Sequence, residues 1–155
     1  MNAANRRTTL LQVAAFGIAA SVIGSLGPWG TVLGFSVAGT DGDGIYTLGF
    51  GVIAAVALWR AWATGASGML TGCAALAGIV LAIGIYHYQR IVRGPDADDL
   101  ATGNELSDAF TAGLASTVSV GWGLYVLILG AAATLAASLV AWRLQTSPDA
   151  DVKSR

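Results

Sequence analysis

Charge is scarce in this chain, and the places where it is missing exclude most functions. Asp, Glu, Lys and Arg make up 11% of the 155 residues, against about 25% in soluble domains. So small a share cannot cover a water-facing surface. The deficit is concentrated in residues 10–26, 45–59, 69–86 and 120–142, which hold no charged residue and no histidine. Proton relays, ion-coupled transporters and voltage sensors need ionisable groups at depth, so these runs argue against all three. Proline is equally rare. There are three in the chain and none in the runs, so no broken-helix substrate site is signalled.

Cysteine and histidine occur once each. Cys73 has no partner within the chain for a disulfide, and its place inside the third run reads as a small apolar packing residue. His87 has no second histidine for bis-His haem. No Ser–His–Asp set, Cys–His pair or metal-ligand cluster accompanies it. The expectation is a protein that is not an enzyme and carries no cofactor. A formal net charge of −1 offers no field to attract nucleic acid.

What the chain has in abundance is apolar length, with 55% hydrophobic residues. A hydrocarbon layer about 30 Å thick takes roughly 20 helical residues at 1.5 Å each. The sequence therefore predicts an all-α transmembrane protein, a four-helix antiparallel membrane bundle forming a single membrane domain, with spans near 9–27, 45–62, 68–88 and 120–142. The second is short unless Ala61 and Trp62 complete it. Arg6 and Arg7 precede the first run as they would in a signal peptide. That run is longer than a signal-peptide core and no Ala-x-Ala site follows, so an uncleaved span is expected.

Lys and Arg set orientation. With the N-terminus inside, the inner side (tails 1–8 and 143–155, the 63–67 turn and the end of the second span beside it) holds Arg6, Arg7, Arg60, Arg143, Lys153 and Arg155. The outer segments, 28–44 and 89–119, hold only Arg90 and Arg93. Both termini are thus expected in the cytoplasm of a multi-pass cell-membrane protein. Tryptophan favours the interface, and the rings agree, with Trp29 and Trp122 at the outer level and Trp59, Trp62 and Trp142 at the inner one.

Apolar helices in lipid associate by close packing of small residues. Gly17, Ser21 and Gly24 recur at helical spacing. Gly68 and Gly72 form a small-xxx-small pair, and Gly130, Thr134 and Ser138 form an i, i+4, i+8 stripe. The same five residues, Gly68, Gly72, Gly130, Thr134 and Ser138, are candidates either for packing within one bundle or for meeting a membrane-protein partner or a second copy.

The outer segments carry the remaining polar chemistry. Residues 31–38 alternate like a strand, Leu33, Phe35 and Val37 one way and Val32, Gly34 and Ser36 the other. Gly39–Gly44 follows with Asp41 and Asp43. Two carboxylates two residues apart resemble the start of a calcium loop, so Asp41 and Asp43 are candidate metal ligands together with Asp96, Asp98 or Asp99. Asp43 also stands where it would cap the second helix. Thr102–Glu105 fits a capping box opening a short amphipathic outer helix through Leu106, Ala109, Phe110 and Leu114. Residues 115–120 alternate and are expected to pair with the first outer strand in a small extracytoplasmic sheet. His87 lies among Tyr86 and Tyr88 as an interfacial polar residue.

Pro28-Trp29, the Gly39–Gly44 turn and Val120-Gly121-Trp122-Gly123-Leu124-Tyr125 together resemble a group of uncharacterised small prokaryotic four-span membrane proteins. The resemblance implies architecture and brings no activity or site residues. The outline is also claudin-like, without the paired loop cysteines of claudins. The function expected from all this is an accessory, scaffolding or assembly subunit that works through protein–protein contact in the bilayer, the alternative being an oligomeric pore or small-solute channel.

Overall fold

The structure is a computed structural model in which residues 3–93, 113 and 117–146 are described. Four helices dominate it: α1 Ala3–Leu26, α2 Gly44–Thr64, α3 Ser67–Arg93 and α4 Trp122–Thr146. Each is long and apolar enough to cross a membrane. Their lengths of 21 to 27 residues correspond to roughly 32–40 Å. The second helix therefore reaches full length by running through Trp62 to Thr64. It stops at Gly65, whose φ of 72° is left-handed and whose N–H donates to Ala61 O at 3.0 Å. Glycine takes this conformation without strain, and α3 starts two residues later.

The helices form a closed ring in which α1 meets α2 and α4, and α3 meets α2 and α4. The closest seam joins the first and last helices. A methyl placed on Gly17 would lie 2.6 Å from Gly130 O, and one on Gly24 would lie 2.6 Å from Gly123 O. Hydroxyls complete the seam. Ser21 Oγ donates to Gly17 O at 3.0 Å and reaches Leu127 O at 3.4 Å. Thr134 Oγ1 donates to Gly130 O at 2.9 Å and reaches Ala14 O at 3.3 Å. Backbone-to-backbone approach of this kind strengthens dispersion where hydrophobicity gives helices no reason to associate.

Two apolar clusters fill the ring. One, around Leu11, Leu58, Leu70, Cys73 and Ala137, lies toward the α2–α3 turn. The other, around Trp29, Val80, Leu124 and Leu127, lies toward the opposite, sheet end. Among the described residues, no buried side-chain nitrogen or oxygen lacks a hydrogen-bond partner. The outward faces are as apolar as the inside, with Phe16 79%, Leu129 70% and Trp59 68% exposed. No more than 44% of the apolar window of any helix is buried. In water that surface would aggregate.

The sheet differs from the sequence expectation in one respect. Residues 31–38 are not a single strand. They are divided between β1, Pro28–Val32, and β2, Phe35–Ala38, which pair antiparallel with Val32 opposite Phe35. Leu33 and Gly34 make the turn, with φ of 53° and 82°. Positive φ at both central residues is the requirement of a tight hairpin turn whose twist matches its strands. The pairing of the two outer segments does occur. A short β3, Ser119–Val120, lies antiparallel to β1 on its other edge, giving the order β2-β1-β3. Thr31 and Ser119 hydroxyls meet across it at 2.6 Å. The expected amphipathic helix at 102–114 lies outside the described residues apart from Gly113, as do Asp96, Asp98, Asp99 and the Thr102–Glu105 capping box.

Candidate functional site at the sheet end

The sheet end is built on Trp29. Its indole is 6% exposed, and Nε1 donates to Gly24 O at 3.0 Å. That carbonyl lies in the last turn of α1, where no intrahelical donor remains. Trp29 therefore serves as an internal strut at this end of the bundle, instead of the interfacial ring expected from its position. Gly39 lies against it and has no room for a side chain. A methyl there would fall 2.6 Å from both Trp29 Cε2 and Ser25 O. Gly39 N donates to Gly27 O at 3.0 Å, which ties the end of β2 back to α1. Behind the indole, Ser25 and Thr47 hydroxyls meet at 2.8 Å, joining the end of α1 to the start of α2.

From this base the chain makes a single 3-10 turn, Gly39–Asp41, and enters α2 through Asp43. Asp41 folds back, and its Oδ2 accepts from Ala38 N at 3.3 Å. Asp43 stands at the position before α2, as expected, yet its carboxylate makes no capping bond. Its Oδ2 lies 2.9 Å from His87 Nε2 instead. The backbone accounts for the change. Asp43 has helical angles, φ −69° and ψ −6°, where a capping residue is usually extended. The side chain is thereby aimed across to α3 and away from its own helix.

His87, near the end of α3, also stacks its ring against two aromatics. Trp29 is tilted at 57° with centroids 5.0 Å apart, and Tyr86 is edge-on at 5.4 Å. The imidazole is thus held by a carboxylate, an indole and a phenol from three elements. Beside it opens a cleft of about 280 Å³. Trp29, Gly30, Val32, Val37, Ala38 and Gly39 wall one side, and Asp41, Asp43, His87, Ile91 and Val118 complete it. Among the described residues the walls are apolar, with ionisable groups only at the Asp41, Asp43 and His87 edge.

The candidate metal ligands Asp41 and Asp43 thus line one cleft. Among the described residues, no three His, Cys, Asp or Glu side chains come together as a metal site would require. Asp96, Asp98 and Asp99, the further acids considered for it, lie outside the described residues.

The small-residue candidates separate into two groups. Gly130, Thr134 and Ser138 face inward. Thr134 and Ser138 are each 1% exposed, and Gly130 abuts Gly17 and Ser21 of the same chain. Ser138 Oγ points to Cys73 Sγ at 3.6 Å. Gly68 and Gly72 lie on the outer face of α3, and a methyl on either would meet nothing within 4 Å.

At the far end of the bundle, Arg7 Nη2 donates to Ala61 O at 3.1 Å. With its amide turned so that both ends are satisfied, Gln145 also accepts from Arg7 Nε at 2.9 Å. One guanidinium, placed where the α2 dipole ends negative, thereby ties α1 to α2 and α4.

No sequence pattern announced the Trp29–His87–Asp43 contact. The only signal available was that all three stand at the same end of the expected spans. No protein-family model, no curated protein and no solved structure matches the chain, so nothing about activity carries over from another protein.

Proposed function

We propose that this chain is a multi-pass cell-membrane protein, one of the small four-span prokaryotic type, with both termini in the cytoplasm. It acts by contact, as an accessory or assembly subunit and not as an enzyme. The observation that carries the reading is the open face of α3. Gly68, Thr71, Gly72 and Ala75 are exposed there in sequence, while the glycine faces of α1 and α4 are consumed against each other. A helix bearing its own small residues would approach this face closely.

Co-purification in a mild detergent tests the reading. A stable complex or self-associated species is expected, and Gly72→Leu on the open face should disperse it. A chain that is always alone and monomeric would refute contact as the mode of action. Liposomes containing the protein separate the channel reading. The pocket between the helices lined by Ile18, Phe50 and Val80 holds about 10 Å³, which is room for one water at most. A pore would need several copies, so solute flux above that of empty liposomes would favour it, and none is expected. Reporter tags on the two ends should report the same side of the membrane.

A further inference from the structure

The cleft at the sheet end is not needed to close the bundle. Trp29, Gly39 and the Ser25–Thr47 pair already join α1, α2 and β1 behind it. It nevertheless has the layout of a small-molecule site, with apolar walls and a few convergent polar groups at one edge. Asp43 and Asp41 bring two carboxylates, and among the described residues no lysine or arginine lines the cleft. The third ionisable group at that edge, His87, is engaged with Asp43.

Asp43 is also held in place. His87 Nε2 engages its Oδ2 at 2.9 Å, and the imidazole is itself braced by Trp29 and Tyr86. A carboxylate fixed in this way loses little freedom when a second donor arrives.

We propose that this cleft binds a small amphipathic organic cation. The ammonium is received by Asp43, with Asp41 at the rim, and the apolar body lies on Val32, Val37, Ile91 and Val118. His87 is the positioning residue. It holds the acceptor without itself meeting the ligand's charge. A volume of about 280 Å³ suits a body of one aromatic ring or a short branched chain. The site does not depend on contact with a partner protein, so it stands or falls apart from that reading.

The test uses the full chain in lipid nanodiscs, with empty nanodiscs as reference, and calorimetric titration of phenethylamine, its neutral isostere 2-phenylethanol and phenylacetate. Saturable binding of the amine is expected, with the alcohol at least tenfold weaker and the anion weaker still. Asp43→Asn keeps the shape and removes the charge, and should weaken amine binding at least tenfold while leaving the alcohol unchanged. Val37→Trp fills the cleft without touching the carboxylates and should abolish amine binding. Because Val37 lies half exposed at the rim, this second variant keeps the fold even if Asp43→Asn does not. His87→Gln, which still donates to Asp43, should retain more affinity than His87→Ala. Equal affinity for amine and alcohol, or an Asp43→Asn chain that binds the amine as the parent does, would overturn the proposal. So would calcium binding that Asp43→Asn abolishes in a chain indifferent to the amine.

Discussion

Leu33 holds a left-handed backbone conformation, φ 53°, in a turn position that usually goes to Asn, Asp or Gly. The conformation costs an ordinary residue about 1 kcal/mol, and the side chain is 57% exposed, so little packing offsets it. Leu33→Asn should therefore raise the stability of the detergent-solubilised protein by about 0.5–1 kcal/mol, read as a higher thermal midpoint. A lower midpoint would mean that the leucine makes a contact worth more than the strain. Trp29 and His87 make a second contrast. Both belong to one aromatic contact, yet Trp29 is buried and also satisfies Gly24 O. Trp29→Ala should cost about 3–5 kcal/mol. His87→Ala loses a pair whose carboxylate is 54% exposed, and should cost no more than about 1 kcal/mol. Equal losses would show that the imidazole carries structural weight beyond its contact with Asp43.

Among the elements, the seam between α1 and α4 is the closest and the least tolerant. A side chain at Gly17 would drive into Gly130 O and Thr134 of the facing helix. Gly17→Val should destabilise the bundle by about 1–3 kcal/mol or rearrange it, while Gly72→Val, on open space, should change stability by no more than about 0.5 kcal/mol. Unfolding of the two variants in the same micelles gives the comparison. The helices themselves were legible because each is a charge-free run between charged or glycine-rich segments, and the Gly65 stop lay inside the expected turn. The hairpin was not. Leu33, Phe35 and Val37 keep the two-residue alternation of a strand straight through the turn, and leucine is no turn signal, so only Gly34 hinted at it. Nor was the direction of the Asp43 side chain. Its local alternative, a helix cap, is visible in sequence, whereas His87 stands 44 residues away and becomes a neighbour only after α2 and α3 have packed. For the same reason the stripes on α1 and α4 were recognisable as packing faces, but which face met its own chain and which stayed open depended on ring closure.

The molecule as a whole exposes more large apolar side chains than a small aqueous fold tolerates, and they lie on every helix: Phe16, Ile53, Ile79 and Leu129 are all at least 45% exposed. The proposed bilayer gives this surface a solvent. Extraction should accordingly require detergent, and the polypeptide should sediment with membranes through high salt and alkaline carbonate. Release by either wash would remove the membrane from the account. At this scale charge was the legible quantity, since its absence located the helices and its bias is the basis of the proposed orientation. The cleft was illegible for the opposite reason, because its walls come from β1, β2, α3 and the stretch before β3, and no one segment carries its pattern.

The tight Gly17–Gly130 and Gly24–Gly123 junctions tie the earliest-made of the four helices to the latest. On the ribosome, the glycine side of α1 must wait without its mate until α4 has emerged. Until then the half-built bundle presents a bare backbone groove to whatever shares its surroundings. Quality control would find its handle there: a chain cut off before Trp122 keeps that groove uncovered, whereas one that carries Trp122–Thr146 clear of the ribosome can seal it.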